Sequence, residues 1–146
     1  MKHFILLMFA VLLMNFFGCG SSGYDELNDL SFEEGEYTFL MLDTSDNKLF
    51  EGIFNIENRI GNDISGTYGM TKEYVKNFPG ASMMRGKFEG KLSPDGKRAF
   101  VNTNPRIADA NIFIRLTAGK VSYVGRWENV TMLGVKAWGY FKAYKD

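Results

Sequence analysis

The sequence predicts an all-β domain folded as an eight-stranded up-and-down antiparallel barrel. Apolar and polar residues alternate over eight short segments, and no segment after the leader has helical periodicity. Glycine is abundant and proline scarce, 16 residues against 3. The segments follow one another without crossover-sized helices, and closing such a meander into a barrel removes its exposed edges. A two-sheet β-sandwich built from the same strands is the alternative fold.

The clearest strand is 83–92, where apolar residues alternate with charged ones. It ends at Ser93-Pro94-Asp95-Gly96, a turn in which proline presets φ and glycine accepts a positive φ. The predicted strands, in order, are 36–42, 48–57, 62–70, 83–92, 97–103, 111–117, 120–128 and 134–144.

Composition excludes several classes of function. The 146 residues balance 17 basic against 17 acidic side chains, so the chain lacks the positive charge that nucleic-acid binding requires. Its one histidine is His3 and its one cysteine is Cys19, so the body has no residues for serine–histidine or cysteine–histidine catalysis, or for histidine-bound zinc. The oxygen-rich segment 43–47 lacks the spacing of a calcium loop. We expect a protein that is not an enzyme and holds no metal or cofactor.

The first nineteen residues have the organisation of a signal peptide. Lys2 gives a positive start, and residues 4–17 form an apolar run shorter than the about 20 residues of a membrane span. Gly18 then precedes Cys19, which resembles the lipobox of bacterial lipoproteins. The resemblance implies cleavage before Cys19, acylation of its sulfur, and lipid anchoring in the bacterial cell envelope, with the outer membrane as the favoured location.

The predicted organisation is a signal peptide over 1–18, a flexible acidic tether over 19–35 and a β-barrel domain over 36–146. The stretch 19–36 holds six acidic residues and no basic ones, whereas 37–146 holds eleven acidic and sixteen basic residues. Two interpretations of the tether stay open. It is either solvated along its length or rests on the more basic body.

The predicted connections after odd-numbered strands are longer than those after even-numbered strands, so the long loops gather at one end. We interpret that end as the mouth of the barrel, pointing away from the membrane. The longest connection, 71–82, carries Tyr74 and Phe78. We expect it to fold over the mouth, either as a lid on a guest molecule or as a plug.

The strand pattern is similar to that of calycins, the lipocalins and avidin-like barrels. Lipocalins open with Gly-x-Trp, where this chain has Gly35-Glu36-Tyr37, and Arg126 is the candidate for the arginine that packs over that tryptophan. The resemblance implies a small molecule bound inside the barrel, and an eight-stranded interior has room for one. The candidate ligand-binding residues are Phe50, Phe54, Tyr68, Tyr74, Phe78, Phe88, Tyr123 and Trp127.

Two functions remain open. The first is a lipoprotein whose barrel binds a small apolar or amphipathic ligand. The second is a non-enzymatic envelope lipoprotein with a filled barrel that binds another protein, or its own copies, through its surface. Strand 134–144 favours an outer contact surface, because lysines share one face with aromatic residues that are typical of interfaces. That face carries Lys136, Trp138, Tyr140, Lys142 and Tyr144.

Inner-face glycines have two interpretations as well: they permit tight bending of the strands, or they leave a cavity. An integral outer-membrane barrel is less favoured, because the apolar faces are rich in glycine and the chain ends Tyr144-Lys145-Asp146, without a terminal aromatic residue.

We predict that the mature protein partitions with membranes and carries fatty acid on Cys19. The Cys19→Ser variant should lose lipid-dependent processing, because the thiol is the acylated atom. Metabolic labelling with palmitate measures this directly, and an unlabelled wild-type protein would show that the lipoprotein interpretation is wrong.

Overall fold

The computed structural model describes residues 30–76, 78, 84–107, 109 and 111–145. These residues form one closed antiparallel barrel, so the predicted fold is confirmed and the sandwich alternative is wrong. The predicted signal peptide and Cys19 lie outside the described residues. The strands are β1 Gly35–Leu42, β2 Lys48–Ile60, β3 Asp63–Glu73, β4 Arg85–Leu92, β5 Arg98–Asn102, β6 Asn111–Ala118, β7 Tyr123–Thr131 and β8 Gly134–Lys145.

Pairing between the first and last strands closes the barrel. β1 runs antiparallel to β8, from Tyr37 opposite Lys145 to Leu42 opposite Tyr140. The edges that an open meander would expose at β1 and β8 therefore satisfy each other's backbone hydrogen bonds.

The wall has one weak seam, between β4 and β5. β5 is the shortest strand, and it pairs with β4 only over Glu89–Leu92. Within the described residues, the first half of β4, Arg85–Phe88, has no strand partner on that side. We call this interruption the seam.

The connections follow the prediction only in part. We call the end that carries the connections after β1, β3, β5 and β7 the upper end, and the opposite end the lower end. The two longest connections, 74–84 and 103–110, both lie at the upper end, as predicted. The β7–β8 connection is only the two residues Met132-Leu133, because pairing continues to Thr131 opposite Gly134. The predicted five-residue loop over 129–133 is therefore wrong.

Alternate side chains of each strand point inward and form an apolar core. In it, Phe39 stacks on Phe141 with ring centroids 5.1 Å apart, and Phe54 stacks on Phe88 at 4.2 Å. The largest fully buried side chains are Trp127, Tyr37, Tyr123, Phe32, Phe39, Phe50, Phe88, Phe141, Met41, Ile56, Ile112 and Val101.

Inner-face glycines let neighbouring strands approach closely. A Cβ atom at Gly125 would overlap the carbonyl oxygen of Arg115, and one at Gly139 would overlap the carbonyl oxygen of Leu42. The space beside these glycines is therefore occupied by backbone. This supports the interpretation that the glycines permit strand bending, and not the interpretation that they leave a cavity.

Residues 30–34 close the lower end of the barrel. Phe32 is buried, and its ring centroid lies 4.6 Å from that of Tyr123. The Tyr123 hydroxyl donates to the Ser31 carbonyl at 2.7 Å, and Arg59 Nη1 donates to the Phe32 carbonyl at 2.7 Å. The predicted flexible tether is therefore too long at its carboxyl end. For these residues the interpretation that the tether rests on the body holds.

An exposed ion pair fastens the same segment to β8. Lys145 Nζ lies 2.8 Å from Glu33 Oε2, and the Tyr37 hydroxyl donates to the Glu33 carbonyl at 2.6 Å. The hydrogen bond from Lys145 lowers the pKa of Glu33 below its ordinary 4.5, and the same bond raises the pKa of Lys145 above 10.5. Lys145 Nζ also lies 6.0 Å from the centroid of the Tyr37 ring. Arg126, which the lipocalin resemblance suggested as the cation packed over the first-strand aromatic residue, instead lies over Trp138 on the outer surface.

We predict that Phe32→Ala lowers the free energy of unfolding by about 3–5 kcal/mol, the usual cost of emptying a buried phenylalanine site. Urea denaturation measures it. The control Val121→Ala changes a side chain that is 82% exposed and should cost no more than about 0.5 kcal/mol. Equal stability of the two variants would show that residues 30–34 do not belong to the core.

We predict that the stability difference between wild type and Glu33→Gln depends on pH. The lowered pKa of Glu33 adds stability above its ordinary pKa, and this is lost as pH falls through the folded value. The raised pKa of Lys145 adds stability that is lost as pH rises through its folded value. Denaturation across pH should show the difference at intermediate pH and its loss at both extremes. Glu36→Gln, at an exposed neighbour, is the control, and a difference that stays constant with pH would contradict this account.

Candidate functional site

Three of the predicted ligand-binding residues meet at the upper end. Phe78, from the β3–β4 connection, lies edge-on to Phe50 and to Trp127, with ring centroids 5.1 and 5.6 Å away. Trp127 Nε1 donates to the carbonyl of Leu42 at 2.8 Å, which fixes the indole in the core. Phe78 therefore fills space between β2 and β7, and the position fits a plug.

Three more of these residues lie deeper. Phe54 and Phe88 stack on each other, and Tyr123 packs at the lower end against Phe32 and Tyr37. Burial is the largest cause that raises the pKa of Tyr123, so its hydroxyl stays a neutral donor. The aromatic side chains are one another's packing partners, so the described interior is occupied largely by the protein itself.

Tyr74 stands apart from the other predicted residues. Its hydroxyl donates to Glu51 Oε2 at 2.6 Å, and Lys72 Nζ lies 4.6 Å from its ring centroid. With 37% of its surface exposed, Tyr74 packs on the outer surface of β2 and β3. The structure does not bring it together with the interior residues.

A cleft of about 640 Å³ opens at the seam, which we call the lateral cleft. It lies between the first half of β4 and the β5–β6 connection. Two of the predicted ligand-binding residues, Tyr68 and Phe88, form its inner part. The lining residues are Glu57, Asn58, Ser65, Gly66, Tyr68, Arg85, Gly86, Lys87, Phe88, Glu89, Thr103, Asn104, Pro105, Arg106 and Ile107.

The local sequence explains why the wall opens here. The Asn102 side chain accepts a hydrogen bond from the Asn104 N–H at 3.0 Å, and Pro105 has no N–H to donate to a ladder, so β5 ends early. On the facing strand, Gly86 has φ of 148° and no side chain to fill the gap. A Cβ there would lie 3.8 Å from the Tyr68 ring, so glycine keeps the passage beside Tyr68 wide.

A hydrogen bond between described residues spans the seam. The Tyr68 hydroxyl donates to the Thr103 carbonyl at 3.0 Å, which joins β3 to the β5–β6 connection. Burial raises the pKa of Tyr68, so the phenol remains a neutral donor. The Thr103 side chain in turn donates to the carbonyl of Ile112 at 2.9 Å. The two sides of the cleft are thereby held at a fixed separation.

The rim of the lateral cleft is rich in cations. Arg85, Lys87 and Arg106 line it, and none of their side chains forms an ion pair or hydrogen bond with another described residue. Two carboxylates, Glu57 and Glu89, also line the cleft, so its formal charge is weakly positive.

The predicted aromatic stripe of β8 is exposed on the outer surface. The exposed fractions are 38% for Trp138, 40% for Tyr140 and 44% for Tyr144. The Arg126 guanidinium lies 4.0 Å from the centroid of the Trp138 ring and forms an ion pair with Glu128 at 3.2 Å. The predicted exposure is confirmed, while a partner for this face stays a prediction.

The oxygen-rich turn after β1 is bound up in its own hydrogen bonds. The Asp43 carboxylate accepts from the N–H groups of Ser45 and Asn47 at 2.7 and 2.9 Å, and from the Asn47 amide at 2.9 Å. The bonds from Asn47 lower the pKa of Asp43. Among the described residues, no three His, Cys, Asp or Glu side chains are grouped as a metal site would require.

Sequence reasoning missed the cations of the cleft and the burial of Phe32. Arg85 and Lys87 occupy the outward positions of a half-buried strand, which is the ordinary place for charge. The available signal was Asn104-Pro105, which ends β5 before the predicted boundary at 103. Phe32 stands in an acidic stretch, where composition predicts solvent exposure.

Fold and geometry thus define a closed up-and-down β-barrel with a packed interior and a lateral cleft. Comparisons with models of protein families, with curated proteins and with solved structures find no match to this chain. In the part of the chain that the structure describes, no helix has the length and apolar character needed to cross a membrane.

We predict that Phe78→Ala lowers the free energy of unfolding by about 1.5–3 kcal/mol, because it removes an aromatic ring packed on Phe50 and Trp127. Urea denaturation measures this free energy of unfolding. The control Val75→Ala, in the same connection and 39% exposed, should change it by no more than about 0.5 kcal/mol. Unchanged stability together with weaker capture of an apolar probe would instead identify Phe78 as part of a lid.

Proposed function

We propose that this chain is a lipid-anchored, non-enzymatic protein of the bacterial cell envelope that binds a small amphipathic molecule in its barrel wall. The observation that carries the proposal is the lateral cleft. Its volume of about 640 Å³ lies within the about 300–1,000 Å³ typical of ligand sites. A polar rim and the exposed apolar side chain of Ile107 suit a molecule with one polar and one apolar part.

The packing at both ends of the barrel supports entry through the side. Phe78 fills space at the upper end, and Phe32 with Tyr123 fills the lower end. A guest at either end would have to displace a packed aromatic ring, which costs roughly 1.5–3 kcal/mol of buried surface. At the seam, in contrast, Gly86 leaves space without any such displacement.

The position of the segment that leads to Cys19 also fits this function. Leu30 donates its N–H to the carbonyl of Gly119 at 3.1 Å, so the chain enters the barrel at the lower end. Ten residues, 20–29, separate it from Cys19 and span at most about 35 Å. A lipid on Cys19 would therefore hold the barrel near a membrane by its lower end and leave the side cleft accessible.

The aromatic stripe of β8 supports a second candidate function, an envelope lipoprotein that binds a protein partner or its own copies. Trp138, Tyr140 and Tyr144 are exposed together on one strand. Aromatic residues in such a cluster are typical of the energetically important part of an interface. In this case the protein would carry no small guest.

We predict that Ser65→Trp weakens binding of an apolar fluorescent probe by about tenfold or more, because the indole occupies the lateral cleft. Fluorescence titration of the purified protein measures this. Thr117→Trp, an equal change at an exposed outward position of β6, is the matched control and should bind as wild type does. Undiminished binding by Ser65→Trp would show that the probe binds outside the lateral cleft. If wild type binds none of a set of fatty acids and aromatic dyes, the ligand-binding function is wrong and the protein-binding function becomes the favoured one.

A further inference from the structure

We infer that the guest of the lateral cleft is an amphipathic anion whose charged group is bound by Arg85, Lys87 and Arg106. The chemical class is an organic carboxylate, sulfonate or phosphate monoester with an apolar part. This inference rests on the proposed function, because it names the ligand of the same cleft. It adds the charge of the ligand and the residues that select it.

The three cations of the cleft differ from several others on the barrel, whose side chains are held in ion pairs. Lys91 pairs with Asp63 at 2.8 Å, and Lys145 pairs with Glu33 at 2.8 Å. Arg115 pairs with Glu128, which also binds a second arginine. The three cations of the cleft have no such partner among the described residues, and so are available to a ligand.

The three cations approach the cleft from its two sides. Arg85 and Lys87 alternate along β4, so their side chains leave the same face of the strand. Arg106 comes from the β5–β6 connection across the seam. An anion between the two sides would contact positive charge from both. An arginine guanidinium can also present two parallel N–H donors to a carboxylate or phosphate.

The carboxylates of the cleft limit where the anion lies. Glu57 accepts a hydrogen bond from Thr67 Oγ1 at 2.7 Å, so part of its charge is already engaged within the wall. Glu89 follows Lys87 by two residues on β4 and would repel an anion placed beside it. The charged group therefore belongs at the Arg85 end of the cleft, nearest the start of β4.

The apolar lining accounts for the rest of the ligand. Phe88 and Tyr68 line the cleft from the inner face, but both are buried by the protein's own packing and leave a guest little open surface. Ile107, 54% exposed, lines it from the β5–β6 connection. An inorganic anion would leave the exposed Ile107 side chain without a partner, whereas an amphipathic anion covers it and gains its burial.

The test compares three probes with the same eight-carbon chain: octanoate, 1-octanol and octyltrimethylammonium. Isothermal titration calorimetry of the purified wild-type protein at low salt should show octanoate binding about tenfold or more tightly than octanol. That ratio is the usual gain from a charge-assisted hydrogen bond. Octyltrimethylammonium should bind most weakly, and added salt should narrow the preference.

The variant with Arg85→Gln, Lys87→Gln and Arg106→Gln should lose the preference for octanoate while still binding octanol. Lys120→Gln removes an exposed cation from the β6–β7 connection and is the matched control, with the preference retained. Thermal denaturation of each variant shows whether the fold is intact. If the triple variant unfolds, the same preference for octanoate is measured in the three single variants.

The outcomes separate this inference from the function on which it rests. Equal affinity of wild type for octanoate and octanol would overturn the anionic ligand and leave a cleft for neutral guests. A preference that survives in the triple variant would overturn the assignment to these three residues. The absence of binding by all three probes would overturn both the inference and the proposed function.

Discussion

An eight-stranded barrel encloses a space just wide enough to be filled by its own side chains or to hold one small ligand, and this limit governs the rest of the structure. The described interior meets it with stacked and edge-on aromatic rings, such as Phe39 on Phe141 and Phe54 on Phe88. Strands must also coil tightly around so small a core. Gly125 and Gly139 permit this, because any side chain there would overlap the neighbouring backbone. Filling the core and bending the wall are therefore two consequences of one constraint.

Because the core is packed, the space available for a ligand lies in the wall of the barrel and not along its axis. Phe32 fills the lower end and Phe78 packs at the upper end, each from a segment outside the strands. The wall opens where β5 ends before the whole of β4 has been paired. Since β5 has five residues and β4 has eight, the ladder between them ends early. The lateral cleft is thus a direct result of the early end of β5.

The sequence was enough to predict the barrel. Alternation of apolar and polar residues in segments such as 83–92 indicates directly both a strand and the side chains that face inward. Its number of strands and meander order followed from the short connections. The lateral cleft could not be predicted in the same way, since it depends on how far two strands pair. Phe32 was missed because its acidic neighbours dominate the composition, while one aromatic ring decides its burial. Tyr74 was predicted to fold over the mouth with its connection, but its hydroxyl donates to Glu51 on the outer surface.

The seam leaves Arg85–Phe88 without strand pairing on one side in the described residues, and a closed ladder would be the more stable arrangement. The Tyr68 hydroxyl compensates in part, because its bond to the Thr103 carbonyl joins the two sides across the gap. Tyr68 belongs to the core cluster and also lines the cleft. The residue that bridges the seam is thereby also one that lines the cleft. Stability of the seam and shape of the binding site consequently depend on the same side chain.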